Sequence, residues 1–241
     1  MLRPLAAVIV AALALGACHV NAHEGGGANV TRTYNVGNFQ KIEVAGPYDV
    51  EVRTGGKPGV AAEGSERLLE RTNVEVEGDS LVIRPEREHH WFGFNWGSHG
   101  KAHFTVTVPQ LSGATIAGSG DIKVDKVAAQ SFEGTVAGSG GLDVAAMEVQ
   151  QLKLAIAGSG GVRAGSGKAQ SADYSITGSG DVDAGAIQTQ ALKVSIAGSG
   201  GIKAHSSGTA DVSIMGSGDV DVAGGAKCTI SKAGSGTVHC S

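Results

Sequence analysis

An all-β fold is written into this chain: a single-stranded parallel β-helix, wound as a right-handed β-solenoid of about seven coils behind an N-terminal β-rich segment. Three observations predict it. Gly-Ser-Gly recurs at 118–120, 138–140, 158–160, 178–180, 198–200, 216–218 and 234–236, a period of 20 residues and then 18. Apolar residues hold matching places around each triplet: Ile116, Val136, Ile156, Ile176, Ile196 and Ile214 two places before it, and Ile122, Leu142, Val162, Val182, Ile202, Val220 and Val238 two places after it. Alternation of this kind means strands with one face turned inward, and no unit holds a stretch long and periodic enough for a helix. Lastly, two outward columns alternate in sign. One reads Lys123, Asp143, Arg163, Asp183, Lys203, Asp221, His239, and the other Glu133, Lys153, Asp173, Lys193, Asp211. Stacking in register about 4.8 Å apart sets each charge between two opposite ones, and a slip of one coil loses the match. Right-handed crossover between parallel strands sets the hand, and the hexapeptide rhythm of left-handed β-helices is missing.

The chain has 241 residues, of which 41% are apolar, and a net charge of −4; this composition fits a globular protein and argues against a nucleic-acid partner. Residues 1–18, "MLRPLAAVIVAALALGAC", pair one Arg with an apolar stretch from Leu5 to Leu15, too short to span a bilayer and fitting an export signal. "LGAC" at 15–18 resembles a bacterial lipobox, in which Cys18 takes lipid and anchors the protein at the outer membrane. Ordinary cleavage after "VNA" is the alternative, with a periplasmic product. Residues 19–37 are polar and Gly-rich, a flexible tether.

From 38 to 110 the chain alternates in the strand manner, as in "KIEVAG", "YDVEVRTG" and "NVEVEGDSLVIRP", with Gly78 and Asp79 forming a two-residue hairpin turn. Residues 86–103 break the pattern. This exposed loop holds Trp91, Phe92, Trp96, His89, His90, His99 and His103 in a chain that is only 4% aromatic. Its aromatics suit stacking on sugar rings and its histidines could ligate a metal, although adjacent His89 and His90 point to opposite sides of a strand. The other reading is a long hairpin whose aromatics fold back on the solenoid. Trp91, Phe92, Trp96, His89, His99 and His103 are the ligand-binding candidates; no metal site and no cofactor is expected.

Residues 111–241 form the repeat. Its triplets are corners: the two glycines can take positive φ, and the Ser between them can hydrogen-bond the corner above or below. Asp121, Asp181 and Asp219 follow the corner directly and suggest calcium, but they fall in the first, fourth and sixth coils. Gaps of about 14 and 10 Å are far beyond the roughly 2.6 Å at which one cation holds its oxygens. "GSGKAQS" at 165–171 has Val162 where a phosphate loop needs its first Gly and Ala169 where it needs Ser or Thr. The last coil reads as a cap. Lys232 takes a place filled by Ile or Val in earlier coils, and Cys228 and Cys240 fall in apolar columns, where an oxidising compartment should pair them.

The lipoprotein-like leader, "NFQKIEVAGPYDVEV", the junction "VTVPQLSGATIAGSGDI" and the Gly-Ser-Gly coils together resemble the bacterial head GIN domain family, over roughly residues 38–240. The resemblance implies a β-helix shaped like the pectin lyases without their catalytic residues, and a role in adhesion. The expected function is a non-enzymatic cell-envelope protein that binds a cell-surface protein or polysaccharide. The alternative is a polysaccharide lyase or hydrolase, which wants carboxylates paired at about 5 to 10 Å in a cleft, beside an Arg or a metal. The outward carboxylates here are instead interleaved with Lys and Arg.

Overall fold

A computed structural model describes residues 28–86 and 102–241. They form one right-handed parallel β-solenoid of about six turns with a single hydrophobic core. Each 20-residue coil has three sides. Along 121–138 inward and outward residues alternate, but two exposed residues stand together at Asp125–Lys126 and again at Gln130–Ser131. These two breaks and the Gly-Ser-Gly triplet are the corners, where the period of two must reset.

The register is the one that the repeat predicts. Ile116, Val136, Ile156, Ile176, Ile196 and Ile214 lie over one another, as do Ile122, Leu142, Val162, Val182, Ile202, Val220 and Val238. Volume is balanced within the coils. Phe132 is followed inward by Gly134, whose added Cβ would lie 2.7 Å from the Leu142 side chain, and the large Tyr174 shares its coil with Ala164, Ala169 and Ala172. Close packing requires such trading, because an interior at crystal density has no room for two large side chains side by side.

The triplets behave differently from expectation in one respect. Only the first glycine of each takes positive φ, for example +128° at Gly178. The second has no need of that conformation; it needs space, since a Cβ on Gly180 would sit 2.3 Å from the Gly160 carbonyl oxygen. Ser139, Ser159, Ser179, Ser199 and Ser217 bind the preceding corner through their backbone N–H, as Ser179 does to Gly158 at 2.9 Å, and not through their hydroxyls. A further corner carries no triplet: Gly46, at φ +125°, lies under Gly118, and Tyr48 lies under Gly120.

The N-terminal half is woven into the stack out of order. Strands Lys41–Ala45 and Asp49–Thr54 make one coil. On one side it pairs with Ser80–Pro85 and Ala102–Val108, on the other with Gly113–Gly118 and the start of Asp121–Gly138. The first coil in sequence is therefore the second in space. The chain from Val108 to Ser112 steps across it, held by Gly55 N–H to Val108 O (2.9 Å) and Ser112 N–H to Gln40 O (2.7 Å). Antiparallel strands close this end: Thr72–Glu77 turns back on Ser80–Pro85 through Gly78 and Asp79, as predicted, and Gly59–Ser65 runs against Ala102–Val108 with Asn29–Tyr34 outside it. Inside, Tyr48 packs edge-on to Phe104 at 5.5 Å and bonds Thr72 Oγ1 at 3.1 Å.

At the other end the last coil is a cap. Lys232 stacks on Ile214, yet its Nζ donates to Gly236 O at 2.7 Å, so the inward column ends in a satisfied charge. Cys228, stacked on Ala210, is disulfide-bonded to Cys240, stacked on Val222. A lysine at the inward position of this exposed last coil blunts an edge strand that would otherwise offer free backbone groups for pairing. Reducing the disulfide should cost about 3 kcal/mol, because it closes a short loop. Thermal unfolding with and without reductant measures this, and hydrogen exchange should place the loss in 227–241.

Candidate functional site

The outward columns are the chemistry this fold has to offer. The first runs Glu51, Lys123, Asp143, Arg163, Asp183, Lys203, Asp221, His239, extending the alternation by one acidic residue from the out-of-order coil. The second runs Glu133, Lys153, Asp173, Lys193, Asp211. Lys153 Nζ reaches Glu133 at 2.7 Å and Arg163 reaches Asp183 at 3.5 Å. The Glu133 hydrogen bond and charge raise the pKa of Lys153. Exposed pairs contribute roughly 0 to 1 kcal/mol each, so their value lies in fixing register.

The aspartates after the corners have a structural job that the sequence did not reveal. Asp121 Oδ1 accepts the Gly141 N–H at 2.7 Å and Asp181 Oδ1 accepts that of Gly201 at 2.8 Å, each in the next coil. A Cβ on Gly141 or Gly201 would lie 2.8 or 2.9 Å from those oxygens, which explains why glycine follows aspartate in the column. Asp219 repeats the contact with Thr237, accepting from both its N–H and its hydroxyl. These bonds, the hydroxyl first, lower the pKa of Asp219. A lowered folded pKa means the bond is present above the ordinary carboxyl value and lost as pH falls through the folded one. In an NMR titration the Thr237 amide should move with a midpoint below 3.8, the ordinary value; a midpoint at or above it would refute the contact.

"GSGKAQS" is another corner. Gly165 and Gly167 lie against the Ala145 and Met147 carbonyls, and Ser166 O accepts the Met147 N–H at 2.8 Å. Among the described residues, no three His, Cys, Asp or Glu side chains converge to hold a metal.

Of the ligand candidates, His103 lies in strand Ala102–Val108, with Nε2 3.9 Å from Glu51 Oε2. Trp91, Phe92, Trp96, His89 and His99, like Cys18, lie outside the described residues.

Among the described residues an axial groove of about 740 Å³ runs along the corner that precedes each triplet strand. It extends from Lys41 and Ser80 at one end to Asp211 at the other, with the second charged column on one flank and Ser131, Gln151, Ser171 and Thr209 beside it. Next to these runs a column that the sequence reading passed over: Gln110, Gln130, Gln150, Gln170, Gln190, one every 20 residues. All five are exposed. Gln110 donates to Ala128 O at 2.6 Å, whereas the other four amides take no hydrogen bond within the described chain. The 20-residue period that marks the triplets would have found them.

Stacked coils with outward ladders in register define a parallel β-solenoid repeat protein. The family is specific: a profile described as "Putative auto-transporter adhesin, head GIN domain" matches residues 38–226, and the chain belongs to that family. Three solved structures share the fold. A "putative adhesin" from Bacteroides fragilis is 24% identical with TM-score 0.79, covering 88% of this chain and 97% of that one. A "putative lipid binding protein" from Parabacteroides distasonis is 24% identical with TM-score 0.70 (90% and 98%). A "putative adhesin" from Parabacteroides merdae is 21% identical with TM-score 0.64 (90% and 98%). No curated protein matches the chain.

Proposed function

We propose that the protein is a non-enzymatic, exported envelope protein that acts in adhesion, with Cys18 as its lipid anchor and the solenoid as a rigid rod that engages a polysaccharide or protein on a surface. The observation that carries this reading is the construction of the side faces. The two charged columns are outward and held in register by stacking, so the rod displays a long surface of fixed spacing. The carboxylates of the second charged column, along the groove flank, alternate with lysines coil by coil. The name of the lipid-binding neighbour is not carried over, because the described interior is packed with large buried side chains such as Phe132, Leu154 and Tyr174. Beads coated with the mature protein should bind cells or cell-wall material, and Trp91→Ala with Trp96→Ala should weaken binding without changing thermal stability if the 86–103 loop takes part. Cleavage of a polysaccharide panel by the protein would overturn the non-enzymatic reading.

A further inference from the structure

Resting on that reading, we infer that the axial groove is the binding site, and that it takes a linear, uncharged glycan lying along the solenoid axis with about one sugar per coil. Three features lead to this occupant. The first is spacing. Equivalent groups recur along the groove every 4.8 Å or so, and two coils come close to the roughly 10 Å two-sugar repeat over which a β-1,4-linked chain such as cellulose presents the same face, whereas same-side residues of an extended peptide recur every 6.6 Å or so and fall out of step within a few coils.

The second is charge. Glu133, Lys153, Asp173, Lys193 and Asp211 alternate in sign along the flank, and at the near end Glu43 lies beside Lys41, which pairs with Asp79 at 2.9 Å, so neither sign forms a continuous run. A polyanion or polycation would meet a like charge at every other coil, and such contacts oppose binding. Sugar hydroxyls, which both donate and accept, suit carboxylate and ammonium alike.

The third is the free amides. Gln130, Gln150, Gln170 and Gln190 each present a side-chain donor and acceptor with no partner in the described chain, one residue before the lining positions Ser131, Gln151, Ser171 and Ala191. Groups of this kind read hydroxyl patterns without demanding charge. Among the described residues the groove has no aromatic platform, since Phe132 is buried in its floor. Each sugar therefore contributes little, and affinity must accumulate along the polymer.

Calorimetric titration of the mature protein with cello-, xylo- and chito-oligosaccharides of increasing length tests this. At least one series should bind, with affinity climbing through about six or seven sugars and then levelling, as the groove length dictates. The double variant Gln150→Ala, Gln170→Ala should weaken the longest ligand by about tenfold, with unchanged melting temperature. Dextran sulfate and polylysine should not compete. Length-independent binding, equal binding of a polyanion, or capture of extended peptides that the double variant abolishes would overturn the assignment. If the beads still bind cells while every oligosaccharide fails, the groove assignment falls and the adhesion reading stands; if bead binding also fails, adhesion itself is refuted.

Discussion

Replacing Gly178 by alanine should unfold the coil it belongs to and cost more than about 3 kcal/mol, or prevent the protein from accumulating. Two penalties coincide there. The residue is at φ +128°, where an L side chain is strained, and its Cβ would lie 2.2 Å from the Gly158 carbonyl oxygen, which is backbone and cannot move without breaking the stack. Gly55→Ala separates the two effects. Gly55 also has positive φ, at +91°, but nothing lies within 4 Å of the added Cβ, so it should lose only the conformational part, about 1 kcal/mol. Ser179→Ala should fall within about 0.5 kcal/mol of the parent, because that serine contributes its backbone N–H. Denaturant unfolding of the three variants gives the comparison. Near-equal losses at Gly178 and Gly55 would show that stacking clearance is not what selects glycine in the corners.

The second large effect is expected at Tyr174. Its ring is fully buried inside the solenoid and its hydroxyl has no hydrogen-bond partner among the described residues. Burial alone raises its pKa far above that of an ordinary phenol. Tyr174→Ala should cost about 3 to 5 kcal/mol, because a cavity of ring size would open among small neighbours that cannot close on it. Tyr174→Phe should go the other way, neutral or stabilising by about 1 kcal/mol, since it removes a polar atom whose desolvation nothing offsets. A Phe variant destabilised by more than about 1 kcal/mol would show that the hydroxyl is satisfied in solution.

The architecture was legible because it repeats. A 20-residue period exposes every column at once, so the Ile116-to-Ile214 column, both charge ladders and the capping role of Lys232, Cys228 and Cys240 could be read from spacing. What does not repeat was hidden. Gly46, Pro47 and Tyr48 make a corner without the triplet, recognisable only when Gly118 is seen to stack on Gly46. The N-terminal strands alternate clearly, but alternation says which face is inward and nothing about which strand is adjacent; that depends on pairings such as Lys41 with both Ser80 and Gly113. The roles of Asp121, Asp181 and Asp219 were obscured for a different reason. Each acts on the following coil's backbone, so the signal lies in the pairing of aspartate with a glycine or threonine one coil later. The glutamine column was legible and overlooked, because attention to charge passes over uncharged polar residues.

The out-of-order coil makes the rod's two ends unequal in what they can lose. At the far end, deleting a 20-residue unit would shorten the stack and let the remaining coils meet in the same register, so evolution can lengthen or trim the protein there by simple duplication or loss. Near the beginning no such editing is available. Removing 41–54 would leave a gap between two coils that are joined by only a few residues, Val108 to Ser112, and a chain emerging N-terminus first must hold that strand pair unfinished until both later neighbours arrive. Completing it demands contacts distant in sequence, the kind that form slowly. Natural length variants of this protein should therefore differ in whole units after residue 120 and keep the segment before it intact.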